Sequence, residues 1–143
     1  MKYLLPCLAL LALSLTGADA PSKVTYVGHD KVGAALAKGG PLATGPDLAV
    51  SGSHRDKAGQ VEIHDKETDV IYIVEGEATF VTGGTPVGVK STRPGQSLGS
   101  DIKNGETHHM SPGDVIVVPA GTPHWFKEVP KSVSYYVVKV LKP

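Results

Sequence analysis

The run Gly113-Asp114-Val115-Ile116-Val117-Val118-Pro119-Ala120-Gly121-Thr122-Pro123-His124 constrains the fold more than any other stretch of the chain. A Gly-Asp turn opens it, a short apolar strand follows, and a Pro-x-Gly turn ends that strand. His124 then stands first in the next strand. Punctuation of this kind recurs, with 17 glycines and 11 prolines in 143 residues. So many turns in so short a chain favour an all-β domain over a helical bundle.

A second stretch lies upstream: Glu62-Ile63-His64, four residues, Asp69, six residues, then Gly76. Together the two stretches resemble the paired motifs of the cupin superfamily, over roughly Ala49 to Leu141. The second stretch follows the G-x5-P-x-G-x2-H pattern, although Glu128 stands where an asparagine often follows. The first keeps the spacing with two exchanges, Glu62 in place of a histidine and Asp69 in place of a glutamate. The resemblance implies an antiparallel jelly-roll barrel spanning 45–143, preceded by one short helix. It also implies a single metal ion inside the barrel. Mapped position by position, the metal ligands are Glu62, His64, Asp69 and His124.

Residues 1–20 read as a secretory signal peptide: Lys2, an apolar run from Leu4 to Leu15, then small residues, with cleavage after Ala18 or Ala20. Export to a periplasmic or extracellular compartment is the expectation, with no membrane association after processing. Cys7 is the only cysteine, so the mature chain has no disulfide, no thiolate chemistry and no cysteine-ligated zinc or iron–sulfur site. Fourteen acidic and fourteen basic residues balance, which removes the electrostatic case for nucleic acid or an anionic membrane.

Residues 21–44 read as a brace: a short strand at Val24–Val27, then a helix from Lys31 to Lys38, capped by Asp30 and stopped by Gly39-Gly40-Pro41. Strands are expected at Leu48–Ser53, Val61–His64, Asp69–Glu75, Ala78–Thr82, Glu106–Met110, Asp114–Val118, His124–Val129 and Val133–Leu141. The third and fourth flank Glu75-Gly76-Glu77 and read as a hairpin. Residues 83–105 are polar and rich in Gly, Ser and Pro, and read as a long loop.

Alternation along strands assigns faces. Glu62 and His64 share one, as do Asp69, Ile71 and Ile73, and as do His124 and Phe126. A solvent-facing Lys139 would turn Ser134, Tyr136, Val138 and Val140 inward, and the phenol of Tyr136 is then a candidate catalytic group. His54 is the second candidate, a histidine near the barrel mouth that can stand in for the missing one; the alternative is an exposed residue beside Arg55, Asp56 and Lys57. Of His108 and His109 at most one faces inward, and His29 lies near the helix start. Val70, Tyr72, Val74, Val115 and Val117 form an apolar outer stripe, covered by the helix and by a second subunit in a homodimer.

Two imidazoles and two carboxylates suit a divalent Mn, Fe, Zn or Ni ion better than Cu(I), Ca or Mg. Three functions fit. One is a metal-dependent dioxygenase, lyase or isomerase acting on a small organic molecule. The others are a non-catalytic module that binds a metabolite or sugar, and a metal-sequestering barrel. There is no phosphate-cradling glycine loop with its lysine and no nucleophile elbow, which argues against nucleotide chemistry and acyl transfer.

Overall fold

The structure, a computed structural model, describes residues 23–142; the expected signal peptide lies outside the described residues. One helix, α1 (His29–Lys38), precedes thirteen strands. They are β1 (Gly40–Thr44), β2 (Leu48–Arg55), β3 (Val61–His64), β4 (Glu67–Gly76), β5 (Ala78–Thr82), β6 (Thr85–Val87) and β7 (Lys90–Arg93). Then come β8 (Gln96–Gly99), β9 (Asp101–Lys103), β10 (Glu106–Met110), β11 (Val115–Val118), β12 (His124–Glu128) and β13 (Val133–Leu141). The strand pairings among the described residues are antiparallel. One sheet runs β1-β2-β13-β4-β11, a second β10-β5-β12-β3-β8-β7, and β6 pairs with β9 in a ribbon. This is the all-β jelly-roll with one short N-terminal helix.

The core lies between the two large sheets. Ile71, Ile73 and Val137 from the first sheet meet Phe80 and Phe126 from the second. Phe126 packs edge-on against Phe80 at 4.6 Å between ring centres and stacks on Tyr135 at 4.7 Å.

Several expectations change. Residues 24–27 form no strand, and Val24 and Tyr26 are exposed, because no neighbouring strand takes up their backbone. The helix starts one turn position earlier, with Gly28 at its N-cap and Asp30 inside its first turn. Pro41, expected only as a stop, lies in β1, an edge strand whose pairing shifts between Pro41 and Ala43, where a missing N–H costs least. Residues 83–105 are not a loop but two nested hairpins, β6–β9 around β7–β8. Ile102 of that excursion packs with Val61, Val81 and Trp125 in a second small core on the outer face of the six-stranded sheet.

The turn at Glu75-Gly76-Glu77 is not a hairpin. β4 pairs with β13 and β11, whereas β5 pairs with β10 and β12, so the chain changes sheets here. Gly76 has φ +78°, and a Cβ there would lie 1.9 Å from the Ser132 carbonyl oxygen. The corner therefore needs glycine for both its backbone conformation and its contact. Helix α1 covers β1 and β2, with Ala35 set directly on Gly52. It does not reach β11: Tyr72, Val115 and Val117 keep 42%, 58% and 57% of their surface exposed in the single chain.

Gly76→Ala combines a left-handed backbone with a backbone clash, and should cost about 3 kcal/mol or more of folding stability. Urea denaturation of the wild type and the variant measures it. A loss below about 1 kcal/mol would mean the corner can move aside.

Candidate metal centre

The site sits between the sheets beside the phenylalanines, with the His124 ring 6.0 Å from that of Phe80. β3 contributes Glu62 and His64 on one face, and β12 contributes His124, which is the cross-strand partner of Glu62. From the opposite sheet β4 contributes Glu67 and Asp69, and β13 contributes Lys139, the cross-strand partner of Asp69. Direct strand neighbours hold their Cβ atoms about 5 Å apart, so these pairs are in reach by register alone.

His64 Nε2 lies 3.4 Å from Glu62 Oε2 and 3.6 Å from Asp69 Oδ2. His124 Nε2 lies 3.6 Å from the same Asp69 oxygen. The two imidazole centres are 5.2 Å apart. Glu62, His64 and His124 bring one ligand atom each within 4.8 Å of one another, and His64, Glu67 and Asp69 do the same. All four residues expected from the sequence thus enter one cluster. Glu67 joins them, and sequence reasoning missed it. The available signal was its i, i+2 spacing from Asp69, which puts both carboxylates on one face.

His124 donates from Nδ1 to the Thr122 carbonyl at 3.0 Å, which leaves the Nε2 lone pair facing the cluster. Burial holds its pKa below the usual value of 6.5, against the opposing pull of the Thr122 carbonyl, Asp69 and Glu62. The ring is therefore neutral at neutral pH, as a ligand must be. His64 is buried, and neither ring nitrogen has a hydrogen-bond partner. Its Nδ1 faces Glu67 Oε2 at 3.6 Å and its Nε2 faces Glu62 and Asp69. A buried imidazole without partners is costly, and a cation at the centre of Glu62, Asp69 and the two Nε2 atoms would satisfy it. The donor set fits a divalent transition metal on these grounds.

Two internal cations answer the carboxylates. Lys139 Nζ donates to both Asp69 oxygens, at 2.8 and 3.1 Å, and lies 2.9 Å from Glu67 Oε2. Burial works against its charge, but the bonds to Asp69 and Glu67 outweigh that and raise its pKa. Arg55 Nη2 donates to Glu62 Oε1 at 3.1 Å, and its Nε donates to the Tyr135 hydroxyl at 2.8 Å. The facing His64 imidazole lowers the pKa of Glu62, with help from His124 and Arg55, despite burial. Glu67 is lowered too: burial pushes it up, but Lys139 prevails. The phenol of Tyr135 is pushed up by burial.

The inward face of β13 is therefore the reverse of the sequence expectation. Tyr135, Val137 and Lys139 line the interior, and Tyr136 lies on the outer face, stacked on Tyr72. The expectation rested on a lysine seeking water, whereas two buried carboxylates hold it inside. Tyr136 thus has no access to the cluster, and the phenol that does is Tyr135. His54 is exposed and bonded to Ser134 through Nδ1 at 2.9 Å, while its neighbour Arg55 takes the inward position. Neither candidate catalytic residue reaches the site. His108 bonds Thr82 at 2.9 Å and His109 is exposed, both away from the cluster.

The described residues therefore contain a His/Glu/Asp cluster able to hold a metal ion, beside a cavity of about 160 Å³. A family profile described as Cupin matches residues 48–143. Among solved structures the chain is similar to BH2720 from Bacillus halodurans, at 17% identity and TM-score 0.52, over 72% of this chain and 69% of that one. It is similar to the Cnp3 cupin domain of Schizosaccharomyces pombe at 15% identity and TM-score 0.52, over 72% and 59%. The DMSP lyase DddQ from Ruegeria pomeroyi gives 21% identity and TM-score 0.48, over 72% and 42%. The chain thus spans about three fifths of the Cnp3 structure and less than half of the DddQ structure. The likenesses to BH2720 and to the Cnp3 domain show the fold. No curated protein matches the chain.

Lys139→Met removes the cation from a buried carboxylate and should cost the metal-free protein about 2 kcal/mol. Zinc should restore most of that loss, because the ion then answers Asp69. Thermal melts of both proteins with and without zinc test this; an equal loss in both states would mean Asp69 faces no bound ion.

Proposed function

We propose, for a chain that belongs to the cupin family, that it binds one divalent transition metal through Glu62, His64, Asp69 and His124 and acts there on a small organic molecule. The observation that carries this reading is His64, buried with both ring nitrogens unpartnered and its Nε2 facing two carboxylates. When bound, the metal supplies Lewis acidity toward a ligand oxygen. The chain's own residues do the rest. Thr122 orients His124, Glu67 faces His64 Nδ1 at 3.6 Å, and Lys139 and Arg55 keep the carboxylates ionised. Mn, Fe, Zn and Ni remain the candidates, and the reaction classes are dioxygenase, lyase and isomerase.

One observation favours a second reading, a metal-free binding module: Asp69 and Glu62 already have ammonium and guanidinium partners. Elemental analysis of protein purified without chelator separates the two, followed by zinc titration of the wild type, Glu62→Gln, Glu62→His and His64→Ala. The metal reading expects one ion per chain in the wild type. It expects affinity reduced at least about tenfold in Glu62→Gln, retained in Glu62→His and lost in His64→Ala. Proton competition at His124 should set in only below pH 6.5. No zinc uptake, or equal affinity in all four proteins, leaves the binding module.

A homodimer through the exposed face of Tyr72, Val115 and Val117 belongs to the same proposal, because a stripe this apolar is better buried than wet. Sedimentation equilibrium of the wild type and Val117→Lys checks it. The expectation is a dimer that the lysine dissociates, and a wild-type monomer would remove it.

A further inference from the structure

We propose that the cavity beside the metal centre takes a small organic carboxylate, whose acid group is held by Arg55. The inference deepens the metal-dependent reading above and rests on it.

Arg55 closes the inner face of β2, two residues beyond Ser53 and four beyond Ser51, and all three line the cavity. Its guanidinium is fixed on several sides. Tyr135 and Glu62 accept from Nε and Nη2. The guanidinium carbon lies 5.1 Å from the centre of the Phe126 ring. Gly59 leaves room for Nη1, since a Cβ there would lie 2.7 Å from it. A guanidinium carries five N–H donors in a rigid plane, more than Tyr135 and Glu62 take up. It is a pre-organised fork on a cavity wall, with 27% of its side chain exposed.

The charge balance points to the sign of the ligand. Glu62, Glu67 and Asp69 carry three negative charges against the two positive charges of Arg55 and Lys139, and His124 as a metal ligand is neutral. With His64 also taken as a neutral ligand, one negative charge is left over. A divalent ion turns that into one positive charge. With Glu62 and Asp69 then facing the ion, Lys139 keeps Glu67, and Arg55 is the cation with least compensation. A monoanion completes the balance, whereas a phosphate dianion overshoots it. The planar fork of arginine also matches a planar carboxylate through two parallel hydrogen bonds.

Size and lining set the rest of the molecule. A cavity of about 160 Å³ is small beside the ~300–1,000 Å³ of sites for drug-sized ligands. Ser51, Ser53 and Gln60 form a polar wall, and Ile71 and Val137 an apolar one. That suits a short aliphatic acid better than a sugar or an aromatic polyol.

Trp125 is the only tryptophan and lines the same cavity, so its emission reports binding without any need for turnover. The probes are isobutyrate, isobutyramide (the same shape without the charge) and inorganic phosphate, each titrated into zinc-loaded wild type, Arg55→Gln and Arg55→Lys. Zinc stoichiometry of each protein is measured first. The expected result is isobutyrate binding at least about tenfold more tightly than isobutyramide in the wild type. That preference should vanish in Arg55→Gln and be reduced in Arg55→Lys when the proteins are compared at matched zinc occupancy. Equal binding of acid and amide to zinc-loaded wild type overturns this inference and leaves the metal reading standing. So does a preference that survives in Arg55→Gln, which would place the acid on the metal alone, and so does tighter binding of phosphate. Failure of the wild type to bind zinc overturns both, since the cavity then keeps its negative charge.

Discussion

Three carboxylates brought between two packed sheets need counter-charges in the same place. Ionised groups leave water at a cost of several kcal/mol each unless paired and hydrogen-bonded. Here the counter-charges come from the facing strands: Lys139 opposite Asp69 in register, and Arg55 reaching Glu62 from the end of β2. The Asp69–Lys139 pairing spans 70 positions and the Arg55–Glu62 pairing crosses from one sheet to the other, so the site exists only when both sheets are assembled. Much else follows from it. The inner faces of β2 and β13 carry Ser, Arg, Tyr and Lys where a plain core would carry valines, and His64 is left buried without a hydrogen-bond partner.

The same constraint explains what was legible in the sequence. Strands with one buried and one solvated face announce themselves by period two, and β3, β5, β10 and β13 have the bounds that their patterns suggest. The spacing from Glu62 to Asp69 implied that these side chains lie near one another, and they do, because strand alternation and a short turn leave little freedom. The face of β13 was misread for an electrostatic reason. Alternation gives two equivalent assignments, and a lysine breaks the tie toward solvent unless its partners are known. Asp69 and Glu67 are those partners, and their pairing with Lys139 spans about 70 positions. The misassignment then carried Tyr136 inward and Tyr135 outward. His54 and Arg55 form a similar case, since either of two polar neighbours at a strand end can turn in.

The excursion 83–105 was illegible for a different reason. β7 is exposed at every position, and β6 and β9 are three residues each, so none carries a hydrophobic period. What orders them is contact with the outer face of the second sheet. Ile102 reaches Val61 and Val81, and Gly99 and Gly105 bring backbone close to the same two side chains. Those contacts are tertiary, and a local window does not contain them.

The exchange of histidine for Glu62 is best understood through its neighbours. A glutamate at that position adds a negative charge to a site that already holds Asp69 and Glu67, and a structure with no answer to it would push the carboxyl toward its neutral form. Arg55 provides the answer, and it does so from a strand end where its guanidinium also braces Tyr135 and stacks over Phe126. Glu62 and Arg55 therefore act as one unit: the carboxylate turned toward the histidines and the guanidinium turned along the cavity wall. The ligand exchange and the cation on the wall are two ends of a single hydrogen bond. A change at Glu62 is, in this chain, also a change in what the cavity presents to a second molecule.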